Sequence, residues 1–127
     1  MLLCLCLVPV ISASQRFSVL ITDGLAPPAI SLLSEGGVEV VQQHLSMDEL
    51  TSGGLGEHDA VIIRSATTLT REAVEAGVRG KLSVIGRAGV GVDNIDIEAA
   101  RDCGCWVLNT PGASTTSVVE LTIAHML

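Results

Sequence analysis

Two arginines that follow apolar runs carry the most evident chemistry in this sequence. Arg64 follows Asp59-Ala60-Val61-Ile62-Ile63, and Arg87 follows Leu82-Ser83-Val84-Ile85-Gly86. Arg87 leads directly into Ala88-Gly89-Val90-Gly91. A guanidinium presents forked donors to a carboxylate or phosphate, and glycines let backbone N–H groups come close to an anion. Arg64, Ser65, Arg87, Gly89, Val90 and Gly91 are therefore candidates for a small-anion site. Each part also has an ordinary explanation: a strand-end arginine is often only solvated, and glycines after a strand are often only a turn. Gly89-Val90-Gly91 opens like a dinucleotide fingerprint too, but G-x-G-x-x-G requires glycine at 94, where Asn94 stands. Asp93 and Asp96 would place like charge beside a pyrophosphate. A pyrophosphate site is not expected at this turn.

These residues need elements to position them. Phe17-Ser18-Val19-Leu20-Ile21-Thr22 is a β-branched run ending at Asp23-Gly24, a strand and a turn. Pro27-Pro28 opens a helix that Gly36-Gly37 stops. Val38-Glu39-Val40-Val41 is a second strand, and Ser46 with Glu49 forms a capping box for a short helix. The run ending at Ile63 is a third strand, and Thr70 caps a helix reaching Gly77. Leu82 to Gly86 makes a fourth strand. Asp96 to Cys103 is a helix closed by Gly104, and Cys105-Trp106-Val107-Leu108 is a fifth strand.

Short apolar strands alternating with short helices imply an α/β fold of right-handed βαβ units, with a parallel sheet covered on both faces. The expected architecture is a flavodoxin-like, five-stranded parallel sheet of order 2-1-3-4-5. In that order the carboxyl ends of strands one, three and four are adjacent. Ligands of such sheets bind there, and there lie Asp23-Gly24, Arg64-Ser65 and Arg87 to Gly91. Asn109-Thr110-Pro111 then breaks the alternation. Ser117 and Glu120 form a second capping box, opening a helix through Leu127 that is apolar on nearly every side. Such a helix expects more than one neighbour and reads as a bridge to a further domain. The expected division is an apolar leader over residues 1–15, a ligand-binding domain over 16–112 and an interdomain helix over 113–127.

Composition narrows the class. A chain of 127 residues suits one domain, and 48% apolar content excludes disorder. Aromatic residues are only 2%, so the core must be aliphatic. A formal charge of -7 without any Lys/Arg cluster argues against a nucleic-acid partner, while a local anion site needs only one or two arginines. The cysteines form two pairs, Cys4/Cys6 and Cys103/Cys105, with no C-x-x-C. That spacing suits apolar fillers, neither a metal site nor a disulfide framework. The apolar run within residues 1–14 is about ten residues, too short to span a bilayer, so no membrane association is expected. It resembles a secretory h-region without the basic n-region. A cytoplasmic protein is expected, with a secretory signal at 1–14 as the alternative.

Beyond these patterns, five segments occur in order: Val19-Leu20-Ile21-Thr22-Asp23-Gly24-Leu25; Ile63-Arg64-Ser65-Ala66-Thr67; Gly86-Arg87-Ala88-Gly89-Val90-Gly91-Val92-Asp93-Asn94-Ile95-Asp96; Asn109-Thr110-Pro111; and Ser117-Val118-Val119-Glu120-Leu121-Thr122. In sequence and spacing they resemble the D-2-hydroxyacid dehydrogenases over residues 17–127. The Arg64-Ser65-Ala66-Thr67 loop points to the phosphoglycerate branch. The resemblance implies a substrate-binding (lid) domain of an NAD-dependent oxidoreductase that converts 3-phospho-D-glycerate to 3-phosphohydroxypyruvate in serine biosynthesis. It assigns Arg64 and Ser65 to the substrate carboxylate and Arg87 to its anionic end. Gly89, Val90 and Gly91 would line the substrate, with Val90 approaching the nicotinamide end of NAD. Some members carry Thr where Val90 stands, so only backbone roles transfer there. Asn109-Thr110-Pro111 matches the hinge between domains.

The family's G-x-G-x-x-G fingerprint and its catalytic Arg, Glu and His have no counterpart within the 127 residues. His44, His58 and His125 match none of them, so no catalytic residue is assigned. The chain reads as a front piece without the Rossmann domain, expected to be inactive alone. Family enzymes are homo-oligomers acting on small anionic 2-hydroxy acids. Two alternatives stand beside the phosphoglycerate reading. One is a glyoxylate/hydroxypyruvate reductase or another D-2-hydroxyacid dehydrogenase. The other, of a different class, is a non-catalytic interaction fragment. A signalling receiver domain shares the strand order but needs an acid at the end of strand three, where Arg64 stands.

Overall fold

The computed structural model describes residues 16–126. The leader over residues 1–15, with Cys4 and Cys6, and the terminal Leu127 lie outside the described residues. The strands are β1 (Ser18–Ile21), β2 (Glu39–Gln42), β3 (Ala60–Ile63), β4 (Val84–Arg87) and β5 (Trp106–Asn109). They form one sheet of order β2-β1-β3-β4-β5 in which every pairing is parallel, as the alternating pattern requires. The helices are α1 (Pro27–Glu35), α2 (Met47–Thr51), α3 (Arg71–Arg79), α4 (Ile97–Asp102) and α5 (Thr115–Met126). A 3₁₀ turn over Gly54–Glu57 was not anticipated from the sequence; it buries Leu55 completely.

The helix starts follow local chemistry. Ser46 and Glu49 make the reciprocal capping box of α2, while Thr70 and Asp96 accept from the N3 amides of α3 and α4. The α5 start departs from expectation. That helix begins at Thr115, so Ser117 lies inside the first turn and does not open it. The strands also shift slightly. β4 begins at Val84 and runs on to include Arg87, and β5 runs on to include Asn109 while Cys105 precedes it.

Side-chain alternation along the strands divides the core in two. Leu20, Val61, Ile63 and Ile85 face α2, α3 and α4, and pack with Leu50, Leu55, Leu69, Val74 and Ala99. Val19, Ile21 and Ala60 face the other way, toward Ile30 and Leu33 of α1. The core is aliphatic, as the composition demanded. Coverage of both faces is incomplete, however. On the α1 side, Trp106 is 72% and Leu108 57% exposed: the cluster beneath the nine-residue α1 draws on β1 to β4 and includes no residue of β5. Helix α5 has no buried residue at all. Cys105 is buried in the first cluster, where burial and the neighbouring Cys103 push its thiol up to about 11; it is an inert filler.

Candidate functional site

The strand order sets β3 between β1 and β4, so their carboxyl ends meet. Register places Ile63 beside Arg87, and Arg87 beside Asn109. Arg64 therefore emerges just past the level of Arg87. Arg64 and Ser65 are exposed, and neither side chain has a hydrogen bond or ion pair among the described residues. Arg87 is half-buried, and its Nε is enclosed with no partner among them.

The turn after β4 is shaped around that guanidinium. A Cβ added at Gly89 would lie 2.7 Å from Arg87 Nη1, and one at Gly91 3.5 Å from the same atom. Neither glycine has a positive φ. What they supply is room for Arg87 to rest on the turn. The N–H groups of Val90 and Gly91 have no acceptor among the described residues. The carbonyls behave differently: Asn109 Nδ2 donates to Val90 O at 2.7 Å, and the Thr110 N–H donates to Gly89 O at 3.0 Å. The segment leaving β5 is thus tied to the turn leaving β4. All six candidate residues come together at one edge of the sheet.

Three further residues, given no role from sequence, hold this edge. The Asp23 carboxylate, at the end of β1, accepts from the N–H groups of Arg64 (2.7 Å) and Thr67 (3.0 Å), and from the Thr67 hydroxyl. Asn94 Nδ2 donates to the carbonyls of Arg64 and Thr67, each at 2.6 Å. Thr67 is buried, its Oγ1 2.9 Å from that of Thr22. Burial of Asp23 works against its ionisation, but the Thr67 hydroxyl and the two backbone donors outweigh it and hold the carboxyl below its ordinary value. The signal was present in the sequence, since Asp23, Thr67 and Asn94 all sit inside the quoted motifs. Only the fold shows that they converge.

The histidines stand elsewhere. His44 is exposed, His125 is on α5, and His58 Nδ1 lies 2.7 Å from Ser18 Oγ at the opposite, amino end of β1 and β3. The residues present do not fit the pyrophosphate of a dinucleotide. The glycine turn leads into a six-residue helix whose Ala99 amide is already bonded, at 2.8 Å, by the carboxylate of its own cap Asp96. An anion there would meet that negative charge.

The fold has its counterpart in known proteins. Residues 19–125 match the model of the D-isomer specific 2-hydroxyacid dehydrogenase catalytic domain. The chain belongs to that family. It is 47% identical over 109 residues to D-3-phosphoglycerate dehydrogenase of Methanocaldococcus jannaschii, covering 86% of this chain and 20% of that protein. It is 44% identical over 113 residues to hydroxypyruvate reductase of Thermotoga maritima, covering 88% and 36%. The cofactor (NAD+)-bound 3-phosphoglycerate dehydrogenase of Entamoeba histolytica superposes with a TM-score of 0.72 at 30% identity, over 88% of this chain and 38% of that one. The chain therefore spans well under half the length of these relatives.

Proposed function

We propose that residues 16–112 form the substrate-binding domain of an NAD-dependent dehydrogenase that oxidises the C2 hydroxyl of 3-phospho-D-glycerate. In this reading α5 is the bridge toward the nucleotide-binding domain. The observation that carries it is the pair of arginine side chains at neighbouring strand ends, beside a turn whose Val90 and Gly91 N–H groups are free, all without partners among the described residues. A small dianion can satisfy all of them. Arg64 and Ser65 face the substrate carboxylate, Arg87 faces its anionic end, and the Gly89–Val90–Gly91 backbone lines the space between. These groups bind and orient; charge-assisted, forked hydrogen bonds give such a site both affinity and direction. NAD is the cofactor of this reading, approached by the backbone at Val90.

A second substrate reading has a specific observation behind it, the 44% identity to a hydroxypyruvate reductase. The test compares kcat/KM in a full-length subunit bearing this segment. 3-Phosphoglycerate with NAD is set against hydroxypyruvate and glyoxylate with NADH. A preference for the phosphorylated acid supports the first reading. A preference for hydroxypyruvate or glyoxylate overturns it in favour of the second, and turnover of none of them leaves the interaction-fragment alternative.

A further inference from the structure

The loop carrying Arg64 has no secondary structure of its own, yet it is held from two sides. On one side a single carboxylate oxygen of Asp23 accepts both the Arg64 and the Thr67 N–H, closing the four residues into a compact turn. On the other side one amide nitrogen of Asn94 donates to the carbonyls of the same two residues. Both backbone groups of Arg64 and both of Thr67 are thus engaged by side chains from other segments: Asp23 from the end of β1, Asn94 from the loop after β4. The intervening Ser65 and Ala66 N–H groups have no acceptor among the described residues. A two-residue parallel bridge completes the frame: the Leu69 N–H donates to Asn94 O at 2.8 Å, and the Asp96 N–H donates to Leu69 O at 2.9 Å.

The chemistry of the two clamps is matched to the task. A carboxylate only accepts and an NH₂ only donates in these contacts, so neither can exchange places with the other. Asn94 Oδ1 is buried without a partner among the described residues. That costs stability, so the amide is placed for its two donors and not for its oxygen. A simple turn would need neither device, since local turn chemistry can close four residues by itself.

We infer that Asp23 and Asn94 are positioning residues, a two-sided clamp that fixes the backbone of Arg64–Thr67 so that the Arg64 guanidinium is aimed at the substrate anion before it arrives. The inference rests on the assignment of Arg64 to substrate in the proposed function. Misplacing a binding group by about 1 Å lowers turnover on the order of 100-fold, so a clamp that acts only through Arg64 has a large and specific effect.

The test uses Asp23→Ala and Asn94→Asp, each alone and combined with Arg64→Ala, in a full-length subunit bearing this segment. Amide exchange is followed by NMR or mass spectrometry. The expected result is faster exchange of the Arg64 and Thr67 amides in Asp23→Ala, by about 10-fold or more, with Ala88 unchanged. The Ala88 N–H bonds to Ile63 O, where β3 and β4 end beside the loop, and so reports on the sheet end that carries it. Each single variant should lose about 10- to 100-fold in kcat/KM, and neither should lose more once Arg64 is already alanine. Effects that add in full to Arg64→Ala, or Arg64 and Thr67 amides that exchange as in the unsubstituted protein, overturn the clamp. If Asp23→Ala speeds exchange at Ala88 as well, Asn94→Asp, which keeps the side-chain volume, decides by the same non-additivity. An Arg64→Ala variant with unchanged kcat/KM is a different pattern: it removes the assignment of Arg64 itself, and the positioning role with it.

Discussion

At the scale of single residues, exposure separates function from folding. Arg64 is exposed and its guanidinium bonds to nothing in the described protein. Replacing it with alanine should cost little stability, within roughly 0.5 kcal/mol. Loss of a charge-assisted pair to substrate should instead weaken transition-state binding by about 1.5–3 kcal/mol. Measuring kcat/KM and melting temperature together checks this; a large fall in melting temperature with unchanged kcat/KM would make Arg64 structural. Lysine should rescue only in part, since it keeps the charge and loses the fork. Asp23 gives a prediction of the other kind. Its carboxyl is held below the ordinary value, so the ionised form stabilises the fold, fully so above about pH 4, and that contribution disappears as pH falls through the lowered value. The melting temperature should therefore fall more between about pH 6 and about pH 3 in the unsubstituted protein than in Asp23→Asn. Equal falls in the two proteins would show that Asp23 is not linked to acid unfolding.

At the scale of elements, α3 and Gly80, the residue that follows it, come close to the 3₁₀ turn Gly54–Glu57. A Cβ at Gly80 would sit 2.5 Å from Gly56 Cα, and one at Gly77 would sit 2.8 Å from Leu82 Cδ2 and 3.0 Å from Leu55 Cβ. Backbone meets backbone at Gly80, so no side-chain rotation can relieve the clash. Gly80→Ala should destabilise by about 1–3 kcal/mol, the usual cost of overpacking, without changing KM, because this contact is remote from the carboxyl ends of the strands. Denaturant unfolding monitored by circular dichroism measures the first quantity. A neutral result would mean that α3 and the turn can separate freely.

At the scale of the whole molecule, the apolar surface is not all buried. Val118, Val119, Leu121, Ile123 and Met126 of α5 are each at least half exposed, and Trp106 and Leu108 leave part of the sheet bare. Leu108 also lines an apolar cleft of about 480 Å³, together with Leu25, Leu32, Leu33 and Ile62 among others. Contiguous exposed apolar surface promotes association. The chain by itself should therefore self-associate at tens of micromolar, and removal of residues 115–126 should reduce this. Sizing by light scattering tests both statements; a monodisperse monomer of the intact chain would count against them. No helix among the described residues is long and apolar enough to cross a membrane.

The local sequence determined a great deal of this. Parallel pairing followed from apolar runs alternating with helices, since parallel neighbours need crossovers, and the order 2-1-3-4-5 from the five-stranded flavodoxin-like pattern. Ser46, Thr70 and Asp96 marked helix starts correctly because a cap is decided within four residues. That Arg64, Arg87 and Gly89–Gly91 lie together at one end of the sheet was legible because strand ends at a switch point are defined by order alone. Other features were not legible. Ser117 carried the same capping signature as Ser46, yet α5 starts two residues earlier, since an isolated signature does not fix where a helix begins. The role of Gly89 as a seat for Arg87, the Gly56–Gly80 approach and the clamp by Asp23 and Asn94 join residues that are distant in sequence or depend on side-chain direction. In the clamp, 41 residues separate Asp23 from Arg64 and 30 separate Arg64 from Asn94. Only the tertiary structure decides such contacts, because they exist once β1, β3 and β4 lie side by side and at no earlier stage.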